Sequence, residues 1–173
     1  MKLKNIFMLL ALAIGTCAFV ACGDDEEQQP QDQGQVSQAT KEVVGTYTGW
    51  THLKTNFIDK NYDNDTISLA ITDDGTLMAT YKNKTWGTAT ITGIKASKIE
   101  AGEGYKLEEG EGSFVMNNPR ENSTQEFSCK LDHATISADK KQMLAVIIAN
   151  MTTAGAHGEM TYTFQTGEMP TEE

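Results

Sequence analysis

The stretch Asp65-Thr66-Ile67-Ser68-Leu69-Ala70-Ile71-Thr72-Asp73-Asp74-Gly75-Thr76-Leu77-Met78-Ala79-Thr80-Tyr81-Lys82 decides the fold. Ile67, Leu69 and Ile71 alternate with Ser68, Ala70 and Thr72, and Leu77, Ala79 and Tyr81 share one face of the return. A period of two is the mark of a strand with one face buried. Between the two runs, Asp73-Asp74-Gly75 has turn chemistry, with a glycine to take up the positive φ of a tight hairpin. The unit is therefore an antiparallel hairpin, and the rest of the chain is read by following that pattern outward.

Upstream, Val43 to Leu53 is rich in β-branched and aromatic residues and reads as a long first strand. The Asp59-Lys60-Asn61-Tyr62-Asp63-Asn64-Asp65 segment that follows reads as an acidic connecting loop. Its alternating oxygens at Asp59, Asn61, Asp63 and Asp65 would suit a hard cation such as Ca²⁺. However, Asn64 stands where the turn glycine of such a loop belongs and Ala70 where its bidentate glutamate belongs. An acidic loop without metal is the preferred reading, because Asp and Asn are turn formers in their own right.

Downstream, Asn83-Lys84 makes another tight connection and Thr85 to Thr92 a Thr-rich strand. Lys95 to Gly112 is expected to be a mobile acidic loop with a weak strand near Tyr105 to Leu107. Strand signals return at Ser113 to Asn117 and stop at Asn117-Asn118-Pro119. Gln125 to Leu131 puts Phe127, Cys129 and Leu131 on one face, and a slip of phase between His133 and Ile136 predicts a bulge or bend. Met143 to Met151 is apolar on both faces, so both sides are expected to be covered. Gly158 to Gln165 closes the domain with Met160, Tyr162 and Phe164 together. About eight to ten short strands without an amphipathic helix predict an all-β fold, as a barrel or a sandwich. A closed barrel has the further merit of leaving no strand edge unpaired.

The N-terminus has a different character. Met1-Lys2-Leu3-Lys4, an apolar run from Ile6 to Ile14 and small residues before Cys22 form the three-part pattern of a secretory signal peptide over residues 1–21. The alternative, an uncleaved anchor, is disfavoured because the run is too short to span a bilayer. Phe19-Val20-Ala21-Cys22 resembles the lipobox of bacterial lipoproteins, which implies that Cys22 is the lipid-attachment residue and the first of the mature chain. A thiolate is the nucleophile that takes up the lipid, and several acyl chains hold where one would not. Gly23-Asp24-Asp25-Glu26-Glu27 resembles an acidic signal for the outer face of the outer membrane and reads equally as a solvated tether. Residues 22–40 are the lipidated cysteine and a flexible acidic spacer, 41–169 the folded domain, and 170–173 an acidic tail. The expected location is the outer membrane, held by the lipid and exposed on the cell surface.

The 173-residue chain carries 14 basic and 24 acidic residues; losing Lys2 and Lys4 with the leader leaves 12 basic, so a formal charge of -10 becomes -12. So acidic a chain has no electrostatic footprint for nucleic acid. With Cys17 removed and Cys22 lipidated, Cys129 has no partner for an intramolecular disulfide, and the core alone must hold the fold.

Val44-Gly45-Thr46-Tyr47-Thr48-Gly49, followed by hairpin-linked alternating strands and preceded by the lipobox and acidic tether, resembles the calycin-like β-barrel lipoproteins, small exported proteins of certain Gram-negative bacteria. Gly45-Thr46-Tyr47 is also similar to the Gly-x-Trp opening of the wider calycins, with Tyr47 in place of the tryptophan. The resemblance covers residues 43–165 and implies an antiparallel up-and-down barrel of about eight strands. It lends no defined activity.

For chemistry the sequence offers little. His52, His133 and His157 have no ligand spacing. Cys129, in phase with Phe127 and Leu131, reads as a buried thiol, and no nucleophile motif, phosphate loop or dinucleotide fingerprint occurs. The chain is therefore read as a non-enzyme without cofactor or metal. Candidate ligand contacts are the aromatic residues Tyr62, Tyr81, Trp86 and Tyr105, with Tyr62 and Tyr105 placed in loops; Trp50 is a further aromatic. Asp65-Thr66-Ile67 also resembles a short acceptor pattern for O-glycosylation of exported proteins at Thr66. Two functions follow: binding of a small apolar molecule or a glycan, or an accessory subunit with a packed interior that meets a protein partner. A void of several hundred cubic ångströms would favour the first and a filled barrel the second.

Overall fold

The computed structural model describes residues 36–100, 103–118, 122–151 and 158–171. The leader, Cys22, most of the acidic spacer and His157 lie outside the described residues. Within them the chain runs α1 (Gln38–Glu42), β1 (Gly45–Lys54), β2 (Asp59–Ile71), β3 (Leu77–Asn83), β4 (Gly87–Lys98), β5 (Gly104–Glu108), β6 (Glu111–Asn118), β7 (Ser123–Ser137), β8 (Met143–Asn150) and β9 (Glu159–Thr166).

Every strand pairing is antiparallel, and neighbours in sequence are neighbours in space. β1 also pairs with β9, from Gly49 opposite Thr166 to Lys54 opposite Thr161, which closes the sheet on itself. β5 and β6 are two halves of one stave. The register against β4 runs unbroken from Lys98 opposite Tyr105 to Gly87 opposite Met116, and against β7 from Gly104 opposite Ser137 to Asn118 opposite Ser123. The result is a closed antiparallel eight-strand barrel, the calycin-like architecture expected from the sequence. The Asp73-Asp74-Gly75 turn is in place: Gly75 has φ +82°, and the Asp74 carboxylate accepts from the Thr72 hydroxyl and from both the amide and the hydroxyl of Thr76. These bonds, with the Thr72 hydroxyl contributing most, hold the Asp74 carboxyl down near a pKa of about 2.

Three expectations are corrected. Lys95 to Gly112 is strand for most of its length rather than a mobile loop. Its acidic residues face water, where Glu109 pairs with Lys95 at 2.8 Å and Glu108 with Lys106 at 3.0 Å, while Tyr105, Leu107 and Gly110 face inward. Asp59 to Asp65 is the start of β2, and Tyr62 and Tyr105 both lie in strands; main-chain pairing with β1 and β7 overrides the local turn preference. A short helix, α1, lies at a place read as spacer. Ser37 caps it by accepting from the Thr40 amide at 3.0 Å, and burial of Ala39, Thr40 and Val43 against the barrel end holds it there.

The slip of phase expected between His133 and Ile136 occurs earlier, between Leu131 and Ala134, and has a wider cause. Between Ile91 and Ile94, Leu107 and Gly110, and Leu131 and Ala134, two outward residues follow one another on each of three adjacent strands. A crease thus runs across β4, β5/β6 and β7, with Gly93 and Gly110 at φ +74° and +101° opposite each other. The register shift between β7 and β8 falls beside it, at Asp132. A second bulge sets Asp63 and Asn64 against Trp50 alone, with Asn64 at φ +59°.

The interior is filled by aromatic rings. Phe114 stacks on Tyr162 with centroids 4.9 Å apart, and Tyr81 leans on both at 6.4 and 5.7 Å. None of the three has solvent exposure. One end of the barrel is shut by α1: the Tyr105 hydroxyl donates to Glu42 at 2.5 Å, Lys98 approaches the same carboxylate at 3.2 Å, and Tyr47 donates to the Val43 carbonyl at 3.0 Å. The Tyr105 bond, helped by Gln38 and Lys98, holds the Glu42 carboxyl near a pKa of about 2.

Candidate functional site at the open mouth

The connections β1–β2 and β3–β4 lie at the end opposite α1, together with the end of β8 and the start of β9. There they form an apolar notch of about 170 Å³, walled by Ile58, Trp86, Met116, Met151 and Met160 with Phe57 at its lip. The Thr55 hydroxyl builds the lip. It accepts from the Phe57 amide at 3.0 Å and the Ile58 amide at 2.8 Å, while the Thr55 amide donates to the Ile58 carbonyl at 2.7 Å. The Phe57 ring projects from this turn and is 95 % exposed. The exposed phenyl ring and the apolar recess beside it make this end of the barrel the candidate site.

Trp86 is held from three sides. Its amide donates to the Asn83 side-chain carbonyl at 2.7 Å, its own carbonyl accepts from the Asn117 amide at 3.0 Å, and the Tyr62 ring meets it edge-on at 6.1 Å and 89°. The indole N–H is shielded from water and has no acceptor among the described residues. Tyr62 in turn carries the Lys60 ammonium 5.8 Å from its ring centre.

Asp65, wholly buried, sits in the barrel wall on β2. Its carboxyl accepts from the Tyr81 hydroxyl at 2.8 Å and from the Asn83 amide at 3.0 and 2.9 Å, with the buried Thr51 hydroxyl 3.1 Å from that of Tyr81. Burial, more than any other influence, raises the Asp65 pKa; the three side-chain bonds pull the other way and Asp63 adds to the rise. A carboxyl that holds its proton more tightly when folded stabilises the fold most at low pH, below the ordinary aspartate value, and that advantage is lost as pH rises through the raised native value. Asp65→Asn keeps an acceptor for Asn83 and has no charge to bury. Its stability relative to the parent is expected to improve in urea titrations as pH rises above the ordinary aspartate value; a difference that does not vary with pH would show that Asp65 titrates normally.

The four aromatic candidates separate. Tyr62 and Trp86 meet at the mouth. Tyr81 is sealed in the core, where its hydroxyl serves Asp65, and Tyr105 belongs to the closed end. Trp50 faces outward on β1 opposite Gln165. Sequence reading missed Phe57, the three methionines and the Asp65–Asn83 pair. Its one available signal was Phe57-Ile58, an apolar pair stranded in the polar connection between two strands. Among the described residues no group of His, Cys, Asp and Glu could hold a metal, and Asp59 pairs instead with His52 at 2.8 Å. Burial pushes the Cys129 thiol up to a pKa of about 11, so it stays protonated and unreactive at neutral pH. Thr66 faces outward, but Asp65 and Ile67 beside it are inside the barrel, so an enzyme reading that tripeptide would need the unfolded chain. Compared with protein-family models, with curated proteins and with solved structures, the chain matches none.

Proposed function

We propose that this protein is a lipid-anchored, non-enzymatic binding module of the bacterial outer membrane that takes a small apolar group at the open mouth of its barrel. The notch beside the exposed Phe57 carries the reading, and the filled interior shapes it. With Phe114, Tyr81 and Tyr162 occupying the middle of the barrel, a long ligand has no room to be swallowed whole. A dry cavity of about 150 Å³ admits a benzene ring, so a notch of about 170 Å³ suits one ring or the end of a larger molecule.

The test uses the unlipidated chain, Cys22→Ser, titrated with 2-naphthol, a neutral probe that can insert one of its two fused rings. Saturable binding is expected, weakened roughly tenfold or more by Trp86→Ala and unchanged by Trp50→Ala. Absence of saturable binding, or equal effects of the two substitutions, would overturn the reading. The same Cys22→Ser chain should leave the membrane fraction; retention like the parent would remove the anchor.

Two observations favour the accessory-subunit reading: the aromatic filling of the barrel, the outcome set above as its mark, and the outer face of β8. The expected double cover of β8 is not supplied by the described residues: Met143, Ala145, Ile147 and Ala149 are buried, but Leu144 is 37 % exposed and Val146 and Ile148 are partly so. A photo-crosslinker at Leu144 that captures no protein in native membranes would exclude a partner on that face.

A further inference from the structure

We infer that Asp65 is a positioning residue for the mouth: its carboxyl, acting through Asn83, sets the turn that presents Trp86. The inference rests on the mouth being the binding site. Asn83 ends β3 and faces two ways at once. Its amide nitrogen lies 3.0 and 2.9 Å from the two oxygens of Asp65, and its carbonyl accepts from the amides of Thr85 and Trp86 at 2.9 and 2.7 Å. An amide side chain has a donor end and an acceptor end and reads either way round until a neighbour decides. Asp65 accepts from the Asn83 amide nitrogen on both its oxygens, which places the donor end inward and the acceptor end on the turn. The Tyr81 hydroxyl donates at 2.8 Å to Oδ2, the oxygen that also accepts from Asn83 at 2.9 Å, and keeps the carboxyl from swinging away.

The link spans 18 residues of sequence and joins the barrel wall to the one turn whose tryptophan lines the notch. Solvent exposure of Asp65 is nil and that of Asn83 is 4 %, so water cannot replace either partner. Satisfying the buried Oδ1 of Asp65 needs only the amide nitrogen of Asn83. The bonds to Thr85 and Trp86 lie outside that need and serve the placement of the indole.

The experiment uses the full chain with Cys22→Ser and Trp50→Phe, leaving Trp86 as the sole tryptophan of the two in the sequence. Acrylamide quenching of Trp86 and calorimetric affinity for 2-naphthol are measured in Asp65→Leu, Asn83→Ala and Asp65→Asn, each first shown to unfold cooperatively. Leu and Ala are expected to raise quenching about twofold and weaken the probe about tenfold, whereas Asn, which keeps an acceptor in place, stays within about twofold of the parent. If Asp65→Leu does not fold, Asn83→Ala decides, since it cuts the link and leaves Asp65 in place. A folded Asn83→Ala with unchanged quenching and affinity overturns the inference, as does an Asp65→Asn no better than Asp65→Leu. Should the parent bind no 2-naphthol, the mouth loses its function, while the quenching series still decides whether Asp65 orders Trp86.

Discussion

Phe114→Ala is expected to lower stability by about 3–5 kcal/mol, the range for removing a buried aromatic ring from a core that cannot fully collapse. The phenyl ring is stacked 4.9 Å from Tyr162 and leans on Tyr81, and none of these rings touches water. The walls around the vacancy are strands fixed by pairing on both edges, so they cannot close over it. A small apolar solute should therefore bind the variant inside the barrel and restore part of the loss. Urea denaturation with and without benzene measures both effects. A loss under about 1 kcal/mol would mean that the rings do not bear on one another as described.

Gly112→Val is expected to be as damaging by the opposite route, with a loss of about 3 kcal/mol or more. Gly112 faces inward on β6, where β4 passes so close that a Cβ would stand 1.8 Å from the Thr90 carbonyl oxygen and 2.8 Å from the Ile91 Cα. Both obstacles are main chain and cannot rotate aside, so relief requires separating the paired strands. Gly158→Ala is the control. Its new methyl group would meet only the Asn56 side-chain nitrogen at 3.7 Å, so stability should stay within about 0.5 kcal/mol of the parent. Equal behaviour of the two variants in thermal unfolding would remove the close-approach argument.

Strands whose inward residues are bulky were legible from alternation alone, as at Ile67 and Leu69, Leu77 to Tyr81, or Met160 to Phe164. Where the inward positions are glycines, as at Gly110 and Gly112, the alternation carries no hydrophobic signal, and a stave of the barrel read as an acidic loop. At the crease the true pattern contains two outward residues in succession, which a strict period of two registers as a fault. The mouth was harder still. Trp86 and Tyr62 were visible as aromatic residues, but nothing in their spacing said that they meet. Asp65 looked like one more acidic turn residue because its burial depends on partners 14, 16 and 18 positions away. Phe57 and the methionines gain meaning only when four chain segments are brought to one end.

Lacing β1 to β9 has a kinetic consequence. Gly49 finds its partner in Thr166, so nearly the whole domain must be present before the sheet can join up. Sheets of such long-range contacts fold in milliseconds to seconds, and until the last segment arrives the first strand has an open flank. A chain handed through a membrane N-terminus first would thus stay threadable throughout its passage, and would lock only once its final strand had emerged.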